Sequence, residues 1–380
     1  MVCAQVDCGP YLMPTLIREI LPGDADSIRE FNSRLEKAGV TFAFPVDSSA
    51  LMRKDLGVEA PDQTAYVFHD GTAVRGGYIL KSEQVFVGGQ SAPVGNYQLP
   101  LSEGIVDRKY AMVGVQLIKD ALRRQPRLYC LGMGNVTRPL PRLVSKLGWT
   151  VSKVPFLFRI ENVRNFTKEI RWLRQRARLR LLLDLAGNTG ALAGIVGLAR
   201  LYRRAFGSRA PAGVSFADVP DFSQEIDELF FKVSGDYGLM CDRRAAAMRA
   251  RLPASDSRLL RIVLRKSGKV AGWVVVSISQ LSSHTQFGNM KLGCLVDGLA
   301  APDDVGLVVG EACRRLEEAR CDLLVSNQTH PAWIGSLRRQ GFFRGPSNFI
   351  LALSPPLAAH EPGAGPAHFN RADGDGPINL

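Results

Sequence analysis

Two carboxylates stand where a chain could use them as bases. Glu103 and Asp297 each close an apolar, strand-like run, and each precedes a glycine, Gly104 and Gly298. A carboxylate at a strand end can take a proton from an amine or a water, and it can equally be a solvated turn residue. Asn135 and Asn327 follow shorter apolar runs, where an asparagine either hydrogen-bonds a ligand or begins a helix. His330-Pro331 and Trp333 read as helix entry and core packing rather than as a catalytic pair, and His69 as a hairpin-turn residue. The seven cysteines are odd in number, lack CxxC spacing and fall mostly in apolar runs. That pattern predicts buried reduced thiols, with no nucleophilic Cys–His pair and no metal site.

Elements must hold these residues in place. Leu16 to Leu21 reads as a short strand, Asp24 as an N-cap, and Ile28, Phe31, Leu35 and Ala38 as one face of a helix ended by Gly39. Thr64 to His69, Asp70-Gly71 and Ala73 to Leu80 read as a β-hairpin. A strand from Tyr97 to Val106 then leads into a helix from Lys109 to Arg124. A strand from Arg127 to Met133, a helix ending at Leu147-Gly148-Trp149 and a closing strand from Val154 to Ile160 complete the half.

The second half repeats this order. Leu259 to Leu264, Ser267-Gly268 and Val270 to Trp273 match the first hairpin. Asn135 follows Gly77 by 58 positions, and Asn327 follows Gly272 by 55. Glu103 follows Gly77 by 26, and Asp297 follows Gly272 by 25. After each Asn, a helix runs to Gly-aromatic, at Gly148-Trp149 and Gly341-Phe342.

This order of elements resembles the GNAT superfamily of acyl-CoA-dependent acyltransferases over residues 15–162 and 215–353. Its most specific segments are Asn135 through Lys146-Leu147-Gly148-Trp149 and Asn327 through Arg339-Gln340-Gly341-Phe342. The tandem form is similar to that of Fem-type aminoacyltransferases and of GNAT-like proteins of bacterial polysaccharide clusters. At the place of the latter's second-half motif stands Asp242-Arg243-Arg244 through Met248-Arg249-Ala250, with only the arginine kept.

The resemblance implies an α/β (α+β) chain of two tandem GNAT-like domains, each a mixed, largely antiparallel sheet flanked by helices. The expected organisation is an N-terminal domain 1–162, a basic helical connector 163–212, a C-terminal domain 213–354 and a disordered tail 355–380, whose Pro, Gly and Ala content predicts no core. The implied activity moves an acyl group from acetyl-CoA or another acyl-CoA to an amine or hydroxyl of a small or lipid-linked acceptor, an aminosugar being one. Glu103 and Asp297 would be catalytic, and Arg108, Lys109, Gly114 and Asn135 would bind the cofactor.

Departures from the family leave alternatives open. Neither half has the full glycine-rich phosphate turn, and Val144 and Leu337 stand where the family keeps a tyrosine. Asp303-Asp304 in the second half would repel a pyrophosphate, whereas Arg108-Lys109 in the first would attract one. A catalytically inactive tandem scaffold is one alternative, and tRNA-dependent aminoacyl transfer is another.

The formal charge is +12, and Arg164 to Arg209 alone carries eleven Lys or Arg against two acids. The basic character therefore belongs to one connector, which argues against nucleic acid as the main partner. Phe166, Ile170, Leu173, Ala177 and Leu181 form a narrow apolar stripe ringed by Arg171, Arg174, Arg176, Arg178 and Arg180. The segment 164–209 reads either as helices packed on the domains with a solvated basic face or as an element lying on an anionic membrane surface. Met1 to Pro14 lacks a basic start followed by an apolar block, which with the reduced thiols predicts a cytoplasmic protein, peripheral to the inner membrane face if the connector binds lipid.

Overall fold

The structure, a computed structural model, describes residues 16–46, 63–134, 136–175, 181, 194, 196–198, 201, 211–359 and 365–374. Asn135, Arg176, Arg178, Arg180 and most of the connector 163–212 lie outside the described residues. The chain divides into two compact units, one of Met1–Asp55, Pro61–Ser82 and Gly95–Leu128, the other of Leu56–Ala60, Glu83–Val94 and Tyr129–Leu380.

In the first unit, β1 (Leu16–Glu19), β2 (Gln63–His69) and the first part of β3 (Val74–Val87) form an antiparallel run. The second part of β4 (Gln90–Ser102) also belongs to this unit. Helix Ala25–Lys37 buries Ile28, Phe31 and Leu35 in a cluster with Phe44, Val67, Val74, Ile79 and Leu101. Its N-terminal Asp24 does not cap it, because the carboxylate is taken by Arg18 and by the Leu21 N–H instead. Helix Val113–Arg124 lies tightly on β3 at Gly76, where a Cβ would come within 2.8 Å of Val113 Cγ1 and 2.9 Å of the Leu101 carbonyl. The expected helix from Lys109 begins instead with a 3-10 turn, Arg108–Tyr110.

In the second unit, β5 (Leu128–Leu131) runs on from the first. β6 (Thr150–Lys153), β7 (Phe156–Ile160), β8 (Val214–Val219), β9 (Leu239–Cys241), β10 (Leu259–Lys266) and β11 (Lys269–Gln280) follow. β12 (Lys291–Ala300), β13 (Leu323–Asn327), β14 (Phe343–Gly345) and β15 (Ile350–Leu353) complete the strands. Seven of them form a sheet in the order β14-β7-β13-β12-β11-β10-β8, parallel only between β12 and β13. Its core includes Trp273, Val274, Val276, Leu295, Leu299 and Trp333, closed by helices Glu225–Val233, Val305–Glu318 and Pro331–Arg339.

The last strands of the two halves are exchanged. β7, from the first half of the sequence, sits between β13 and β14, with Phe158 opposite Val325. β15, from the second half, sits between β5 and β6, with Leu351 opposite both Leu131 and Ser152. The compact units therefore do not follow the boundaries at 162 and 354. The described residues 355–359 and 365–374 also depart from the expected disordered tail: Pro355–Ala358 is helical, and His368, Phe369, Asn370 and Asp373 are buried. The short His368–Asp373 island carries the aromatic and charged groups that the average composition of the tail conceals.

Among the described residues no helix is long and apolar enough to cross a membrane. The cysteines among them, Cys130, Cys241, Cys294, Cys313 and Cys321, are buried.

Candidate functional site

The parallel pairing of β12 with β13 runs from Leu292–Leu323 to Leu295–Ser326 and then stops. At that point β12 also bulges against β11, between the pairs Val276–Leu295 and Val275–Asp297. A bulge re-aims the side chains beyond it, and the next one is Asp297, fully buried. Its Oδ1 accepts from Arg243 Nε at 2.9 Å, from the Gly298 N–H at 2.7 Å and from Asn370 Nδ2 at 2.5 Å. Among the described residues its Oδ2 has no hydrogen-bond partner.

The tail enters the opening between the parted strands. Pro366 and His368 pair with Gly238 and Leu239 through backbone bonds, and Asn370 bridges Gln328. Thr329 Oγ1 donates to the Ala367 carbonyl and accepts from the Phe369 N–H, while Arg371 donates to Asn327 Oδ1 at 3.2 Å. Asn327, expected near a cofactor arm, thus holds the chain's own tail. The opening is lined on one side by Trp333, stacked on His368 at 5.3 Å, with Tyr237 against both His330 and His368. A Cβ on Gly298 would collide with Trp333, so the glycine after Asp297 is required by packing. His330 caps helix Pro331–Arg339 through the Ala332 N–H, and burial pushes its imidazole down to about 4. Burial likewise pushes the Tyr237 phenol up to about 12.

In the first unit, Glu103 closes β4 and is also buried. One oxygen accepts from Arg34 Nε at 2.7 Å, the other from Arg34 Nη2 at 3.1 Å, and Arg75 Nη1 lies 3.2 and 3.3 Å from the two. An incoming amine must displace a guanidinium to reach it. The following turn folds back on Glu103, whose carbonyl accepts from the N–H groups of Val106 and Asp107. Arg108 and Lys109 are exposed, and Gly114 sits in the first turn of helix Val113–Arg124, whose N-terminus has no side-chain cap. Glu103, Arg108 with Lys109, and Gly114 thus fall on three successive elements, two 3-10 turns and the first turn of the helix. In the second half the equivalent turn carries Asp304, paired with Lys266.

An open cavity of about 580 Å³ lies along helix Pro139–Lys146, lined by Val136, Pro141, Arg142, Ser145, Lys146 and Val151. None of the expected site residues among those described lines it. Among the described residues no group of three His, Cys, Asp or Glu side chains could hold a metal ion.

No family model matches the sequence, and no curated protein matches it. Solved structures do match. A conserved protein from Enterococcus faecalis V583, described as a probable N-acyltransferase, is 8% identical with a TM-score of 0.54, over 91% of this chain and 74% of that one. A GCN5-related N-acetyltransferase from Anabaena variabilis ATCC 29413 is 12% identical with a TM-score of 0.52, over 89% and 72%. This chain has a tandem GNAT fold. Saccharomyces cerevisiae N-myristoyltransferase with bound myristoyl-CoA is similar as well, 12% identical with a TM-score of 0.50 over 91% and 83%. Where β12 parts from β13, the tail of this chain fills the opening.

Sequence reasoning named Asp297 and Arg243 separately and did not join them. Arg251, His368, Asn370 and Asp373 were missed, because their contacts join segments far apart in the chain. The only local signal was the His368–Asp373 island itself.

Proposed function

We propose that the chain is an acyltransferase that takes an acyl group from an acyl-CoA-type donor and passes it to an amine or hydroxyl of a small or lipid-linked acceptor, an aminosugar among the candidates. The observation that carries this reading is the contrast between the two turns. The first-half turn presents exposed Arg108 and Lys109 ahead of an uncapped helix N-terminus, where backbone N–H groups and the helix dipole favour a pyrophosphate. The second-half turn carries Asp303 and Asp304, and the cleft beside it is filled. The donor site therefore belongs to the first half, with Gly114 toward the cofactor arm and Glu103 toward the acceptor. The basic connector 164–209 would bring the enzyme to an anionic membrane surface when the acceptor is lipid-linked.

Calorimetry with acetyl-CoA and longer acyl-CoA thioesters tests the assignment. Binding that weakens in Arg108→Glu and persists in Asp304→Lys supports it, and the opposite pattern overturns it. A second reading, an inactive tandem scaffold, is favoured by the guanidinium contacts on both oxygens of Glu103. Absence of any thioester binding by the intact protein would select it.

A further inference from the structure

Asp373 reaches the buried cluster from outside the sheets that build it. Its Oδ2 accepts from Arg243 Nη2 at 2.7 Å, and its Oδ1 lies 3.4 Å from Arg251 Nη1, so each oxygen faces a different guanidinium. Arg243 is anchored independently of the tail, by Asp297 Oδ1 through Nε and by the Cys241 carbonyl through Nη1 at 3.1 Å. Burial alone would lower its pKa, but Asp297 and Asp373 outweigh that and raise it, so the group stays charged. Two arginines converging on one carboxylate form a recognisable carboxylate site.

A second observation lies beside it. Asp297 Oδ2 is buried without a hydrogen-bond donor, and Arg251 Nη1 is 3.8 Å from it. A buried carboxylate oxygen left without a donor is costly, and a donor brought to it gains more than one offered to a solvated carboxylate. The same Arg251 nitrogen neighbours both Asp373 Oδ1 and Asp297 Oδ2, so a bound carboxylate and a bound ammonium there are close enough to belong to one small molecule. The tail carrying Asp373 pairs with the strands through the bridges Met240–His368 and Gln328–Asn370, and its further anchors are the bonds of Thr329, Asn370 and Arg371. Arg251 keeps 12% of its side chain exposed, whereas Asp373 is fully buried.

We propose that Arg243, Arg251 and Asp297 form a binding site for an α-amino acid, with the two guanidiniums taking its carboxylate and Asp297 Oδ2 its ammonium. In the resting chain Asp373 occupies the carboxylate position. The ligand must displace this internal carboxylate, so the tail sets the threshold for binding. This binding stands apart from the proposed function, which places donor and acceptor at the first-half turn.

Thermal melting of the full chain with acetate, glycine, acetamide or methylammonium, at matched ionic strength, tests it. Asp373→Ala should melt below the unsubstituted protein, and acetate should recover part of the loss where acetamide recovers none. Glycine should act at concentrations about tenfold lower than acetate, the gain expected of one further charge-assisted bond. The unsubstituted protein should need about tenfold more glycine than the variant, because Asp373 competes. Adding Arg243→Gln to Asp373→Ala should abolish the response. Equal effects of acetate and acetamide overturn the carboxylate site, and equal effects of glycine and acetate overturn the role of Asp297. Should Asp373→Ala not fold, Asp373→Asn keeps the side-chain shape without its charge, and a folded Asp373→Asn that binds neither acetate nor glycine overturns the whole proposal. Failure of thioester binding in the calorimetry above sinks the acyltransfer reading and leaves this site standing.

Discussion

Phe158 lies opposite Val325 in antiparallel register, although the basic connector and all of β8 to β12 separate them in sequence. A strand encoded in the first half is an interior strand of the second half's sheet, and β15 returns the exchange.

Residues 1–162 made alone should therefore fail to give a folded domain, and so should residues 163–380. Made together in one cell, the two pieces should co-purify as a folded pair. Leu157 and Leu351 are buried on the exchanged strands, and Leu→Ala at either should lower the stability of the full chain by about 2–5 kcal/mol. Urea unfolding by circular dichroism checks both. A folded, monomeric 1–162 would contradict the exchange.

Much of the fold is legible in the sequence, and the reasons are local. The second hairpin shows because Ser267 and Gly268 supply the positive φ its turn requires, at 50° and 82°, between two runs of β-branched residues. The helices show because their buried faces recur at 3.6-residue spacing, as Val113, Leu117, Ile118 and Ala121 do. The exchange does not show, because Phe156–Ile160 and Ile350–Leu353 read as buried strands whichever neighbour they pair with. The candidate site was half legible. Asp297 stood out by its place before Gly298, but its partners Arg243, Asn370 and the Asp373 carboxylate behind them are set by tertiary contacts that no spacing rule encodes.

Glu103 separates two roles experimentally. As a structural anion between Arg34 and Arg75, its replacement by Gln should cost on the order of 2 kcal/mol in urea unfolding, since one buried partner of a charged pair is removed. As the base of the proposed reaction, the same change should lower kcat by about a hundredfold while KM for the thioester stays constant. Loss of stability with kcat unchanged assigns Glu103 to structure alone.

The buried His330 makes stability fall in mild acid. Its folded-state value of about 4 lies below the ordinary 6.5, so the unfolded chain binds the proton more readily. Stability is unaffected above about pH 6.5 and declines as the pH drops from there toward 4, by on the order of 3 kcal/mol for this group if the chain stays folded. His330→Asn, which can still cap the helix, should flatten that part of the profile of unfolding free energy against pH. A profile unchanged by the substitution would show that other groups carry the acid sensitivity.

Replacing Arg108 and Lys109 together by Glu should weaken acyl-CoA binding by at least about tenfold at low salt, with less effect at high salt, because exposed charges are screened within a Debye length. Calorimetry at two ionic strengths reads this directly. Equal affinities for the unsubstituted and doubly substituted proteins would remove the first-half turn from the donor site.

The exchange of β7 and β15 has a temporal side. A ribosome releases the chain from its N-terminus, so β5 and β6 emerge about two hundred residues before the strand that belongs between them. Through most of synthesis both have bare edges, and any chain that stops short of residue 350 keeps them bare. Such products present the unpaired strands that recruit chaperones or lead to aggregation, so the last strand works as a completion mark by which a finished molecule differs from a truncated one.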